Sequence, residues 1–442
     1  MAAQTRAMML AAGMMLLAGA AAAEDNWPQW RGPNQNGVSD AQNLPDTWSE
    51  TDGIVWKAEL PSWSGSSPVI WGDCIFLTSP SKGEVAADQN RFASPGGNNL
   101  LLLCLSKKDG KILWERELDA GNKLNRKQNN TSPTPVTDGK TVWTITGTGM
   151  VTALTMDGEV IWKFNLPENY GPIGLNFGYA SSPLLHDGKL FVQVLHGFRT
   201  DDPSYIVALD AMTGKVVWRV ERPTDAIRET PDAYNTPTLL RDGEKSQLIV
   251  CGGGFVSAHD PSSGSEIWRA SGLDPKHDEY YRTISSAVAV DGMVYAPTRQ
   301  KPLLAVRGGG SGDVTETNIA WKWDQPYGPD VPTAACDGKY FYMVEDKGVV
   351  TCLNAKTGEV IWGPEHTANG AVSASPIVAD GKVYVTNEAG ETTVLAAGPE
   401  FKVIAANTLP GEGHLLSTMA VSGNQLFMRT PAHLYCIGRA QK

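Results

Sequence analysis

The heptapeptide KTGEVIW, residues 356–362, recurs along the chain in several near copies. KDGKILW ends at Trp114, MDGEVIW at Trp162, MTGKVVW at Trp218 and SSGSEIW at Trp268, and a shorter TDGIVW ends at Trp56. Asp-Gly and Thr-Gly supply the positive φ of a tight hairpin turn. After the turn apolar residues alternate, as in Ile112 and Trp114, Val160 and Trp162, Val360 and Trp362. A period of two is the signature of a half-buried strand. A Trp on such a strand carries a ring large enough to fill the gap between neighbouring sheets.

A second phrase precedes the first in each unit: small residues with Ser, Thr or Pro, an apolar run, Asp-Gly, then another strand. SSPLLHDGKLFVQV from Ser181, SSAVAVDGMVYAPT from Ser285 and ASPIVADGKVYVTN from Ala374 are examples. Each unit therefore reads as four short strands, A to D, with tight A–B and C–D turns. Eight units begin near Ser66, Thr131, Ala180, Asn235, Ile284, Val331, Ser373 and Leu416. Four-stranded repeats of this size predict an all-β fold, an eight-bladed β-propeller of antiparallel blades over residues 52–440. Trp56, Trp114, Trp162, Trp218, Trp268, Trp321 and Trp362 are the predicted blade-docking residues. The last unit lacks strand D, and DGIVWKAEL at 52–60 supplies it, so the two chain ends close the ring in one blade. The seventh unit has Val403 where a Trp is expected, and the fifth, NIAWKWD, has a wider C–D turn.

The 442 residues include 46 Gly and 28 Pro, as a turn-rich chain requires, and the net charge is −11. That sign argues against nucleic acid and anionic membrane as partners, since both select a basic surface. Residues 1–23 read as a signal peptide, with Arg6, an apolar run from Met8, and Ala21 and Ala23 before the cut. A lead-in segment follows over 24–51. No Cys stands at the cut to take a lipid. No later stretch has the ~18 apolar residues of a spanning helix. The mature protein is expected to be exported, to periplasm or outside, and monomeric. Cys104, Cys352 and Cys436 share a repeat slot with Ala153, Ala208 and Ala258, the mark of a small buried position; buried thiols are expected, with a Cys74–Cys104 bridge between neighbouring strands the alternative.

Tight turns place the A–B and C–D connections on one face of the ring and the long B–C and D–A connections on the other. Loops on a rigid scaffold are where binding concentrates. Residues just before each strand A should ring the channel mouth: Arg126, Asn129, Asn130, Asn176, Tyr179, Tyr234, Asn235, Tyr281, Arg282, Asp330 and His414. They are the candidate ligand- or partner-binding residues. RGGGSGD at 307–313 reads as a wide hairpin rather than a phosphate loop, because no helix follows it. The sequence itself offers no catalytic residue and no metal set.

ALDAMTGKVVW, from Ala208 to Trp218, resembles the pyrroloquinoline quinone (PQQ) propeller repeat, as do CLNAKTGEVIW from Cys352 and CLSKKDGKILW from Cys104. WPQWRGPNQNGVS from Trp27 resembles the lead-in of exported PQQ-like propellers, where the aromatics pack it onto the ring. The resemblance covers most of the chain after about residue 50 and implies one of two roles. BamB-like propellers are non-enzymatic and scaffold outer-membrane protein assembly; they imply a protein partner in the cell envelope and no cofactor. Quinoprotein dehydrogenases bind PQQ with Ca²⁺ in the channel and oxidise alcohols or sugars. Their alcohol dehydrogenases set a vicinal Cys–Cys disulfide against the quinone, and no two Cys are adjacent here. Eight blades, short loops and compact length fit the first role better. A third role, a small-molecule or carbohydrate ligand at the Tyr- and Asn-rich mouth, is compatible with it.

Overall fold

The structure, a computed structural model, describes residues 26–84, 94–243, 245–410 and 413–439. The signal-peptide expectation lies outside them. Eight sheets of four or five strands follow one another around a ring. In blade 1, Val69–Trp71, Cys74–Pro80, Asn99–Ser106 and Ile112–Ala120 pair antiparallel in sequence order from the inside outward. Blade 8 is closed as the repeats require: Ile54–Glu59 pairs antiparallel with His433–Ile437 and forms its outer strand. No helix among the described residues is long and apolar enough to cross a membrane.

The repeated phrase joins blade to blade. Trp56, Trp114, Trp162, Trp218, Trp321 and Trp362 each donate their indole N–H to a backbone carbonyl of the following blade, at Lys107, Met156, Ala211, Pro261, Ala355 and Gly398 respectively. Five of these rings also lie on the turn glycine of the next copy. A Cβ on Gly110, Gly158, Gly214, Gly264 or Gly358 would come within 2.6–2.8 Å of the preceding blade's Trp. The glycine thus serves twice, turning the hairpin with φ between 70° and 83° and making room for the neighbour's indole.

Two joints depart from the pattern, each for a visible reason. Trp268 donates within its own blade, to Gln247 Oε1. The wide hairpin of blade 5 folds back and adds Gly312–Asp313 parallel to Trp268 and Arg269. In blade 7, Val403 is exposed, and Trp48 of the lead-in takes the Trp's place. Trp48 stacks on Tyr384 of that blade's strand B, as Trp114 packs on Phe76 and Trp362 on Tyr342. It also lies against Gly53, the turn glycine of the next copy.

The lead-in does more than pack onto the ring. Trp27 bridges Ile70 of blade 1, and Pro28 accepts from Thr137 N–H of blade 2. Asn36 exchanges bonds with Cys336 of blade 6, and Val38–Ser39 pairs parallel with the inner strand of blade 7. The segment therefore crosses the channel at its tight-turn end. Arg31 anchors it, buried, with its guanidinium donating to the carbonyls of Pro376 at 2.6 Å, Asn36 at 3.3 Å and Ala334. Burial without a carboxylate lowers its pKa to about 9. All six cysteines are free; five are buried and Cys74 is half-buried.

Candidate functional site

Strand A of each blade is the innermost, so its free edge faces the axis and its N–H groups need partners there. One position per blade supplies them. Ser67 N–H donates to Thr134 Oγ1, Thr134 to Ser182, Ser182 to Thr236 and Thr236 to Ser286, all at 2.9–3.0 Å. Ser286 donates to Thr333, Thr333 to Ser375, Ser375 to Thr418, and Thr418 back to Ser67 Oγ, again at 2.9–3.0 Å. The result is a closed collar of eight hydroxyls, each accepting from the blade before it. This is the physical reason for the Ser or Thr that opens each strand A, where the sequence showed only small residues suited to crowding.

Above the collar a cavity of about 400 Å³ opens towards the long-loop face. All eight collar residues line it, and so do the residues two positions earlier in each blade, Gly65, Ser132, Ala180, Tyr234, Ile284, Val331, Ser373 and Leu416. That second tier has no common chemistry, so the position tolerates many side chains. Trp30 of the lead-in lines the cavity from the opposite end.

Of the eleven candidate residues, Arg126, Tyr234, Asn235, Arg282 and Asp330 come together around this cavity. Arg126 sits at the tip of a hairpin, Leu124–Asn125 with Gln128–Asn129, that reaches over the mouth. Next to it Lys127 pairs with Glu388 of blade 7 at 2.6 Å. Arg126 and Arg282 both stack on Phe177, 4.6 and 5.1 Å from its centroid. Asp330 is buried, and its Oδ1 has no hydrogen-bond partner. Its Oδ2 lies 3.8 Å from Arg299, and Arg282 lies 3.8 Å from Glu229. Asp346 accepts from the N–H groups of Val331 and Asp330. Burial, then the neighbouring Asp330, raises its pKa to about 6; burial also raises that of Asp330.

The other candidates hold the loops in shape. Asn129 is buried, donating to Trp63 and Pro95 carbonyls, and Asn130 is buried against Gly121. Tyr179 is buried and donates to Gln193 O; burial pushes its hydroxyl pKa up. Asn176 ties Asp232, Glu229 and Arg199 together. Asp232 also accepts from Gly197, Phe198 and Tyr234, yet burial still raises its pKa to about 6. Tyr281 donates to Lys301 O, and His414 stands outside the cavity lining. Trp30, Lys127, Phe177, Asp346 and the collar are lining residues that the loop argument did not single out.

The family model described as outer membrane protein assembly factor BamB matches residues 99–329 and 312–400. The outer membrane protein assembly factor BamB of Yersinia pestis is 22% identical over 349 residues, covering 69% of this chain and 84% of that one. The dehydrogenase subunit of the quinone alcohol dehydrogenase of Komagataeibacter europaeus is 25% identical over 278 residues, covering 58% of this chain. The chain spans only 35% of the length of that dehydrogenase subunit. A solved europium-containing methanol dehydrogenase superposes with a TM-score of 0.69 at 10% identity, over 94% of this chain and 98% of that one. At that identity the likeness shows the propeller fold alone.

Proposed function

The chain belongs to the family described as outer membrane protein assembly factor BamB, and from that premise we propose that it is a non-catalytic binding propeller of the bacterial cell envelope. It presents its long-loop face to a protein partner. The observation that carries this reading is the asymmetry of the ring. The tight-turn end is crossed by the lead-in, which bonds to blades 1, 2, 6 and 7. The other end carries the long connections and the open cavity. The exported, periplasmic location belongs to the same proposal.

The second reading, a PQQ- and Ca²⁺-dependent dehydrogenase, is favoured by the quinone-dependent relatives. Among the described residues two carboxylates, Asp330 and Asp346, line the cavity where its calcium would sit. Among the described residues no three His, Cys, Asp or Glu side chains converge on a point that a metal could occupy. No catalytic step is therefore derived.

A photo-crosslinking amino acid placed in living cells tests the binding reading. Tyr280 and Tyr327 are 47% and 46% exposed on the long-loop face, and Lys140 lies on a tight A–B turn. Discrete adducts to an envelope protein are expected from Tyr280 or Tyr327 and not from Lys140. Adducts from Lys140 alone, or from none of the three, would overturn the reading.

A further inference from the structure

The cavity has a chemistry of its own. Each collar oxygen already accepts a backbone N–H, and no acceptor for its proton is found among the described residues. A hydroxyl is both donor and acceptor, so the collar offers the axis a ring of O–H donors, each with a lone pair to spare. At the mouth, three of the cations face carboxylates. Lys127 faces Glu388, Arg282 faces Glu229 and Arg299 faces Asp330. Arg126, at the hairpin tip, stacks on Phe177 instead. An apolar ligand would strand the hydroxyls without partners.

We propose that this axial cavity binds a small neutral polyhydroxylated ligand, a saccharide of one or two rings. Its hydroxyls match groups that both donate and accept. Asn235, Arg282 and Asp330 add polar side chains to the lining at the mouth. Trp30 offers an aromatic surface for the C–H face of the ring. The volume of about 400 Å³ lies within the range of small-molecule sites. This deepens the binding-propeller reading and rests on it, by naming a ligand for the same face.

The test is saturation-transfer NMR on the purified protein with glucose, galactose, xylose, N-acetylglucosamine, cellobiose and maltose, and with PQQ as an anionic competitor. At least one sugar should give a saturable signal. Ala180→Trp, at a tier position that already varies from Gly to Tyr, should fill the cavity and abolish that signal. Ile284→Trp repeats the experiment from another blade in case the first variant fails to fold. No saturable signal from any of the six sugars overturns the proposal, as does a signal that survives both cavity-filling variants or PQQ occupying the cavity to the exclusion of every sugar. Failure here alongside intact crosslinks at Tyr280 or Tyr327 leaves the protein-binding reading standing; loss of both removes the two together.

Discussion

Thr333 shows how one atom closes the ring. Its hydroxyl accepts the N–H of Ser286 at 2.9 Å. Thr333→Val keeps the shape and removes the acceptor, stranding a buried donor at a cost of about 1–3 kcal/mol. Thr333→Ser keeps the oxygen and should stay within about 1 kcal/mol of wild type; urea unfolding of the two variants checks the pair. Asp346 provides a pH signature. Its pKa rises from 3.8 to about 6 on folding, so the native state binds more protons between those values. The stabilisation that follows is full below 3.8 and lost as pH rises through about 6. Asp346→Asn, which keeps an oxygen for the N–H groups of Asp330 and Val331, should melt higher than wild type near neutral pH. That advantage should vanish by about pH 4. The difference between variants is the quantity to follow, because half-buried His186 and buried His196 and His259 act the other way. Burial lowers their pKa values, that of His259 to about 4, so their contribution is lost as pH falls below 6.5.

At the scale of the element, the repeated turn makes two demands that a pair of variants separates. Gly158 and Gly188 have positive φ, 83° and 68°. A Cβ on Gly188 meets nothing within 4 Å, while on Gly158 it would stand 2.8 Å from the Trp114 ring. Gly188→Ala should cost only backbone strain, about 1 kcal/mol. Gly158→Ala adds the displaced indole and should cost about 1–3 kcal/mol more. Trp48→Ala should destabilise by about 3–5 kcal/mol, as a core Trp deletion does, although Trp48 lies outside every repeat; thermal melting against Trp114→Ala is the comparison. The repeat phrase was legible because each copy meets the same neighbour, one unit further on. Trp48 was not, because its partners Tyr384 and Asn407 lie more than 300 residues away. Arg126, Tyr234, Asn235, Arg282 and Asp330 were legible as a group because they stand in the connections that lead into strand A. Phe177 and Lys127 were hidden by local loop geometry, and the collar hydroxyls were visible only as small residues.

At the scale of the molecule, ring closure relies on three devices that the chain brings together from its two ends and its centre. The N-terminal strand completes blade 8, the lead-in crosses the tight-turn end, and the collar ties every inner strand to the next. A scaffold so closed on one side leaves the long-loop face and its cavity open, and the proposed binding is placed there. The most direct test of the central claim, that this propeller binds and does not catalyse, is a dye-linked oxidation assay. Purified protein is titrated with PQQ and Ca²⁺ and offered alcohols and aldoses, with tryptophan fluorescence reporting binding. The account predicts no turnover above the protein-free control. Turnover that needs both PQQ and Ca²⁺ and is lost in Asp330→Asn would contradict it.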